Sequence, residues 1–211
     1  MAGKARSARS AKERPEASSH DRILQAARRS FATDGYENTT TSAISRRAGT
    51  SESQLIKHFG SKEGLLAAIF DEAWQRLEVG LRQALERFDT PLDKLRAVSD
   101  LMIGALAADA ELRTIMLLEG RRIRRHGHMV LLTGGFLQMV AIVDRLLAEL
   151  RRGGRLREGL HLQAARSALI GALEGMLRDH LLAERGDYPA RYGDGEMRAA
   201  FQAVLDGFLV R

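Results

Sequence analysis

From Ile23 onward the apolar positions recur at helical spacing and are interrupted by glycines and short polar clusters, so the pattern predicts helices along the chain. The run ILQAARRSFATDGY sets Ile23, Ala26, Ala27, Ser30 and Phe31 on one face. Ser18, with Asp21 three residues later, supplies a cap, and Gly35 stops the helix. A second short helix opens at Thr40, a hydroxyl residue suited to an N-cap, and passes through Ala43, Ile44 and Arg47 to Gly49, where a left-handed residue makes the turn. A third begins at Ser51, with Gln54 placed for a reciprocal capping box, and closes at His58, Phe59 and Gly60. Ser61 then opens a long helix in which Leu66, Ile69, Phe70, Ala73, Leu77, Leu81, Ala84, Leu85 and Phe88 keep the period nearly to Pro91. Gly64 stands where a capping motif favours an acid. Two short helices about a glycine turn, the second with polar side chains at its tip, predict a helix-turn-helix that meets base edges.

Beyond Pro91 the pattern stays helical, with breaks near Asp109, around Gly127, at Arg152-Gly153-Gly154 and across Asp187 to Gly195, which gives five or six helices. Phe136, Val140, Val143, Leu147 and Leu150 form one stripe. The helix from about His161 to Glu184 carries Ala164, Ala168, Gly171 and Gly175 on one face, a spacing that lets another helix approach closely. Arg166, Glu174, Arg178 and Asp179 exclude a membrane setting for it. The last helix presents Phe201, Val204, Leu205, Phe208 and Leu209. Together these two helices, about 161–184 and 195–210, predict a homodimer interface, the alternative being an ordinary intrachain core.

The spacing of Ala26-Ala27, Phe31, Gly35, Thr40, Ile44, Ala48-Gly49, Leu55, His58-Phe59 and Ser61-Lys62-Glu63 resembles the TetR family of bacterial transcriptional repressors, without a gap over about 45 positions. Ser53 and Ile56 depart from that pattern, standing where the family usually has a small residue and an aromatic one. The resemblance implies an all-α protein: a three-helix DNA-binding head, a long connecting helix, and a helical effector-binding and dimerisation domain. It also implies pairing of two C-terminal helices from each subunit in a four-helix bundle, and a small-molecule pocket in the middle of the second domain. The expected boundaries are a disordered basic arm over 1–17, a head over 18–64 and the second domain over 65–211.

Composition supports a nucleic-acid partner. The formal charge is +6, and residues 1–64 hold 12 Lys and Arg against 7 Asp and Glu, whereas residues 65–211 hold 21 against 20, so the basic excess lies on the head and its arm. With no cysteine, disulfides, thiolate nucleophiles and cysteine zinc sites are excluded, which fits a reducing cytoplasm; the resemblance implies a bacterial one, with association with the nucleoid when bound to DNA. No apolar run has the length of a membrane span. An enzyme would need a nucleophile with its base, a phosphate-cradling loop or a metal cluster. Thr133-Gly134-Gly135 and Arg152-Gly153-Gly154 lack the strand that a phosphate loop requires, so no catalytic residue, cofactor or metal is expected.

For double-stranded DNA, Ser51, Ser53 and Gln54 are the candidates for base edges, and Thr40, Ser42, Lys57, His58 and Lys62 for phosphates. Thr40 and Ser51 serve equally well as caps, and His58 as packing beside Phe59. A twofold dimer would read a palindromic operator. The effector pocket is not assignable residue by residue. Met102, Met116, Met129, Met139, Phe136 and Trp74 suit a largely apolar small molecule, or simply a core. Arg121, Arg122, Arg124 and Arg125, near His126 and His128, suit an acidic ligand or a solvated helix end. The alternative within DNA binding is an architectural protein that needs no pocket behind its head.

Overall fold

The computed structural model describes residues 18–120, 122 and 133–210. The expected arm over 1–17, the break around Gly127, Met129 and most of the arginine and histidine cluster lie outside those residues. Among the described residues there are nine helices: α1 (Ser19–Asp34), α2 (Thr41–Arg47), α3 (Glu52–Phe59), α4 (Lys62–Arg87), α5 (Pro91–Ala108), α6 (Ala110–Glu119), α7 (Gly134–Arg152), α8 (Leu162–Arg185) and α9 (Asp194–Asp206). Leu156 and Leu209 form an isolated antiparallel bridge.

The helix starts follow hydroxyl and acidic caps. Ser18, Thr40, Ser51, Ser61, Thr90, Asp109 and Thr133 each accept a hydrogen bond from a backbone N–H in the first turn of the helix they open. Each satisfies one of the donors that a helix leaves orphaned at its start. The expected reciprocal box at Ser51 forms in one direction: Ser51 Oγ accepts from Gln54 N at 3.3 Å, and no return bond from the Gln54 amide is present among the described residues. Gly64 has a different reason from any capping rule. A Cβ there would stand 2.1 Å from the Phe59 carbonyl oxygen, so the entry into α4 lies against backbone and admits only hydrogen.

One apolar core joins the head to the rest of the molecule. Ile23, Ala27 and Phe31 of α1, Ile44 of α2 and Leu55 of α3 pack with Leu65, Leu66, Ile69 and Phe70 of α4, and the same cluster continues into Ile103 and Leu106 of α5, Ile115 of α6 and Leu177 of α8. The expected boundary at residue 64 is therefore not a boundary in the core. A second cluster holds Leu146, Leu147 and Leu150 of α7 with Leu169 of α8 and Phe201, Leu205 and Leu209 at the C-terminal end.

That second cluster changes the reading of the last helix. Phe201, Leu205 and Leu209, expected at a dimer interface, are buried within the protomer, with Leu205 fully so; only Val204 of the stripe is exposed. The apolar stripe of α9 is intrachain core, and what the helix offers outward is the small-residue side carrying Ala199, Ala200 and Ala203. Gly135 marks a second close approach: a Cβ on it would fall 2.4 Å from that of Trp74, so α7 meets α4 through a glycine.

Candidate nucleic-acid interface

The head is built so that α3 presents a polar face and hides one anchor. Leu55 is fully buried against α1, α2 and α4, while Ser51, Glu52, Ser53, Gln54, Ile56, Lys57 and His58 are exposed. The turn that sets α3 against α2 is tight. Ala48 N donates to Ile44 O at 2.9 Å, Gly49 N to Arg46 O at 3.2 Å and Thr50 N to Ser45 O at 3.0 Å, with Gly49 at φ 63°. Arg22 of α1 donates from Nε to the Ala48 carbonyl at 3.2 Å, and Thr41 of α2 donates to Glu52 of α3, so the angle between the two helices is fixed from three sides.

The turn before α2 is held from α4. Lys62 Nζ donates to the carbonyls of Tyr36 at 2.9 Å and Thr39 at 3.0 Å and lies 4.2 Å from the centre of the Tyr36 ring. Two of the three ammonium donors of Lys62, a residue expected at phosphates, are thus spent on this turn. His58 has a similar double duty. Its Nε2 lies 3.0 Å from Ser19 Oγ, and its ring meets His20 edge-on at 5.7 Å, while His20 stacks on Phe59 at 4.8 Å. These contacts tie the end of α3 to the first turn of α1. There the His20 imidazole and the Ser18 hydroxyl, by hydrogen bonding, hold the Asp21 carboxyl below its ordinary range.

Of the other expected residues, Thr40 caps α2 through Ala43 N at 3.1 Å and remains exposed, and Ser42 lies on the exposed side of that helix. Ser51 and Ser53 hydroxyls are 2.8 Å apart, so they act as one polar unit at the tip of α3. Arg46 was not among the expected residues. It is exposed one helical turn after Ser42 on the same side of α2, and that spacing is the signal that marks it. Arg47, by contrast, is engaged with Ser30 Oγ at 2.7 Å and Asp34 at 3.8 Å.

Behind the head lies an apolar cavity of about 80 Å³. It is bounded by Trp74 of α4, Met102 and Leu106 of α5, Met116 of α6, Phe136 and Met139 of α7, and Leu177 of α8, with Glu174 the charged member of its wall. The five described residues that sequence reading proposed for a pocket all line it. Leu106 and Leu177 were missed because they look like core residues in the chain. Leu106 leads directly to an ionic seam. Its carbonyl accepts from Nη1 of buried Arg113 at 3.4 Å, and Nη2 of Arg113 donates to both carboxylate oxygens of Glu184, at 2.7 and 2.8 Å. Asp109, at the α5–α6 corner, caps α6 and pairs with Arg28 of α1, which also lies 3.2 Å from Glu111. Arg185 of α8 reaches the Ala32 carbonyl and the Thr114 hydroxyl, each at 3.3 Å.

Residues 23–69 match the family model described as bacterial regulatory proteins, tetR family. Over that segment the chain is a member of the TetR family. It is a DNA-binding transcriptional regulator, and the matched segment runs from α1 into α4, covering the whole helix-turn-helix. The fatty acid metabolism regulator protein of Bacillus subtilis is 27% identical over 156 residues, spanning 72% of this chain and 78% of that protein. SmeT, the repressor of the Stenotrophomonas maltophilia multidrug efflux pump SmeDEF, superposes with a TM-score of 0.70 at 27% identity and covers 92% of each chain. The transcriptional regulator FadR from Bacillus subtilis, solved in complex with stearoyl-CoA, shares the fold with a TM-score of 0.72 at 22% identity, over 89% of this chain and 96% of its own. These TetR-family relatives are regulators and not enzymes, and among the described residues no helix is long and apolar enough to cross a membrane.

Proposed function

We propose that the chain represses transcription as a homodimer on a palindromic operator, and that it leaves the operator when a largely apolar small molecule with an acyl chain enters the cavity behind the head. Ser53 and Gln54, with the Ser51 hydroxyl beside them, read base edges. Thr40, Ser42, Lys57, His58 and the remaining donor of Lys62 hold phosphates, and Arg46 joins them. Support for the dimer comes from α8, where Ala164, Ala168 and Gly171 are exposed and an added Cβ at Gly171 or Gly175 would meet nothing within 4 Å. A second α8 fits that smooth face, with the small-residue side of α9 next to it.

The observation that carries the release mechanism is the continuity from cavity wall to head. Leu106 belongs to the wall, its carbonyl holds Arg113, and Asp109 three residues later holds Arg28 of α1. A space of about 80 Å³ holds on the order of five waters, so an acyl chain has to part α5, α6 and α8 to enter. Because the seam residues sit on those same helices, a ligand that widens the cavity favours a different placement of the head, and its differential affinity for the two arrangements is the free energy available for release. Stearoyl-CoA in the similar FadR fold suggests the probe. With a fluorescent operator duplex, stearoyl-CoA is expected to release the protein and coenzyme A alone is not. Release by both, or by neither, would rule out an acyl effector.

A further inference from the structure

We infer that Ile56 is a specificity-determining residue that reads the methyl group of a thymine in the major groove, an inference that rests on the DNA-binding reading of α3. The side chain is 45% exposed, although its neighbour Leu55 is fully buried. It lies three residues after Ser53 and beside Lys57, on the exposed side of an eight-residue helix whose tip carries the base-reading candidates. An isolated surface isoleucine needs no explanation in general. This one is continuous with the polar surface that meets DNA, and so its partner is set by what a major groove displays there.

An aliphatic side chain has no hydrogen bond to give to a phosphate or to a base edge. The apolar group that B-DNA presents in the major groove is the 5-methyl of thymine, whereas cytosine, adenine and guanine offer donors and acceptors that an aliphatic contact would leave without water. Ile56 is also β-branched, so in a helix its methyl groups are presented in essentially one rotamer and little side-chain freedom remains to be lost on contact. A helix with Ser53 one turn before Ile56 and Gln54 exposed between them thereby combines hydrogen-bond readout with methyl readout at neighbouring base pairs.

The test uses the full-length protein and a duplex enriched from a random library, in which each thymine in turn is replaced by deoxyuridine, removing only the methyl. Wild type is expected to lose roughly three- to tenfold in affinity at one thymine in each half-site. Ile56→Ala is expected to lose sensitivity at that same thymine while its response at every other position is unchanged, and Ile56→Val to keep part of it. Circular dichroism of both variants, at an exposed site, separates readout from folding. An unchanged thymine profile in Ile56→Ala, or no methyl-sensitive thymine for wild type on a specifically bound duplex, would overturn the inference and leave the DNA-binding reading intact. Failure to enrich any sequence would remove both together.

Discussion

Replacing Gln54 with Ala is expected to relax base preference and to cost about 1–3 kcal/mol per half-site, hence about 2–6 kcal/mol for a twofold complex. The side-chain amide stands exposed at the tip of α3, and its backbone N–H, not the amide, is what Ser51 Oγ binds. It therefore has both a donor and an acceptor available to bridge adenine N6 and N7. Because the cap uses main chain only, the substitution leaves the helix start in place. Lys57→Ala is the contrasting variant. It removes an exposed cation from the same helix, so binding should weaken about evenly on all duplexes and the salt slope should fall by about one per head. Titration of both variants against base-substituted duplexes at two salt concentrations checks the division of labour. Equal losses on every sequence for both would contradict it.

Gly171→Glu should have the largest effect on assembly. Inside the protomer the new side chain meets nothing within 4 Å, and a glycine in mid-helix gains helix propensity when replaced, so the fold should be retained or slightly stabilised. At a twofold α8 interface the same change inserts bulk and brings two like charges together. Sedimentation equilibrium should show a monomer, and operator affinity should fall at least about 100-fold because the second head no longer binds intramolecularly. A variant that stays dimeric with full affinity would place the interface elsewhere.

The head was legible in the sequence because its signals are local. A hydroxyl followed three residues later by the N–H it accepts from is visible at Ser18, Thr40, Ser51 and Ser61, and each one opens a helix in the structure. The long α4, the stop at Gly153 and the break at Asp109 were read for the same reason. What the sequence hid depends on neighbours far along the chain. The stripe of α9 has the same periodicity whether it faces α5 and α8 or a second subunit, and only packing assigns Phe201 and Leu205 to the intrachain core. That Lys62 also holds the carbonyls of Tyr36 and Thr39 is invisible from its place at a helix start. Gly64 looks like a defective capping motif until the Phe59 carbonyl explains it. The ionic seam was invisible, since Arg28 and Asp109, or Arg113 and Glu184, are ordinary surface charges when read in isolation.

The central claim is sequence-specific reading by paired heads, and the most direct measurement is selection of bound sites from a random DNA library followed by the stoichiometry of the complex on the enriched duplex. The account predicts a palindromic site occupied by two protomers, with affinity lost when either half is scrambled. Salt-sensitive binding that enriches no sequence, or one protomer bound equally well to a lone half-site, would contradict it.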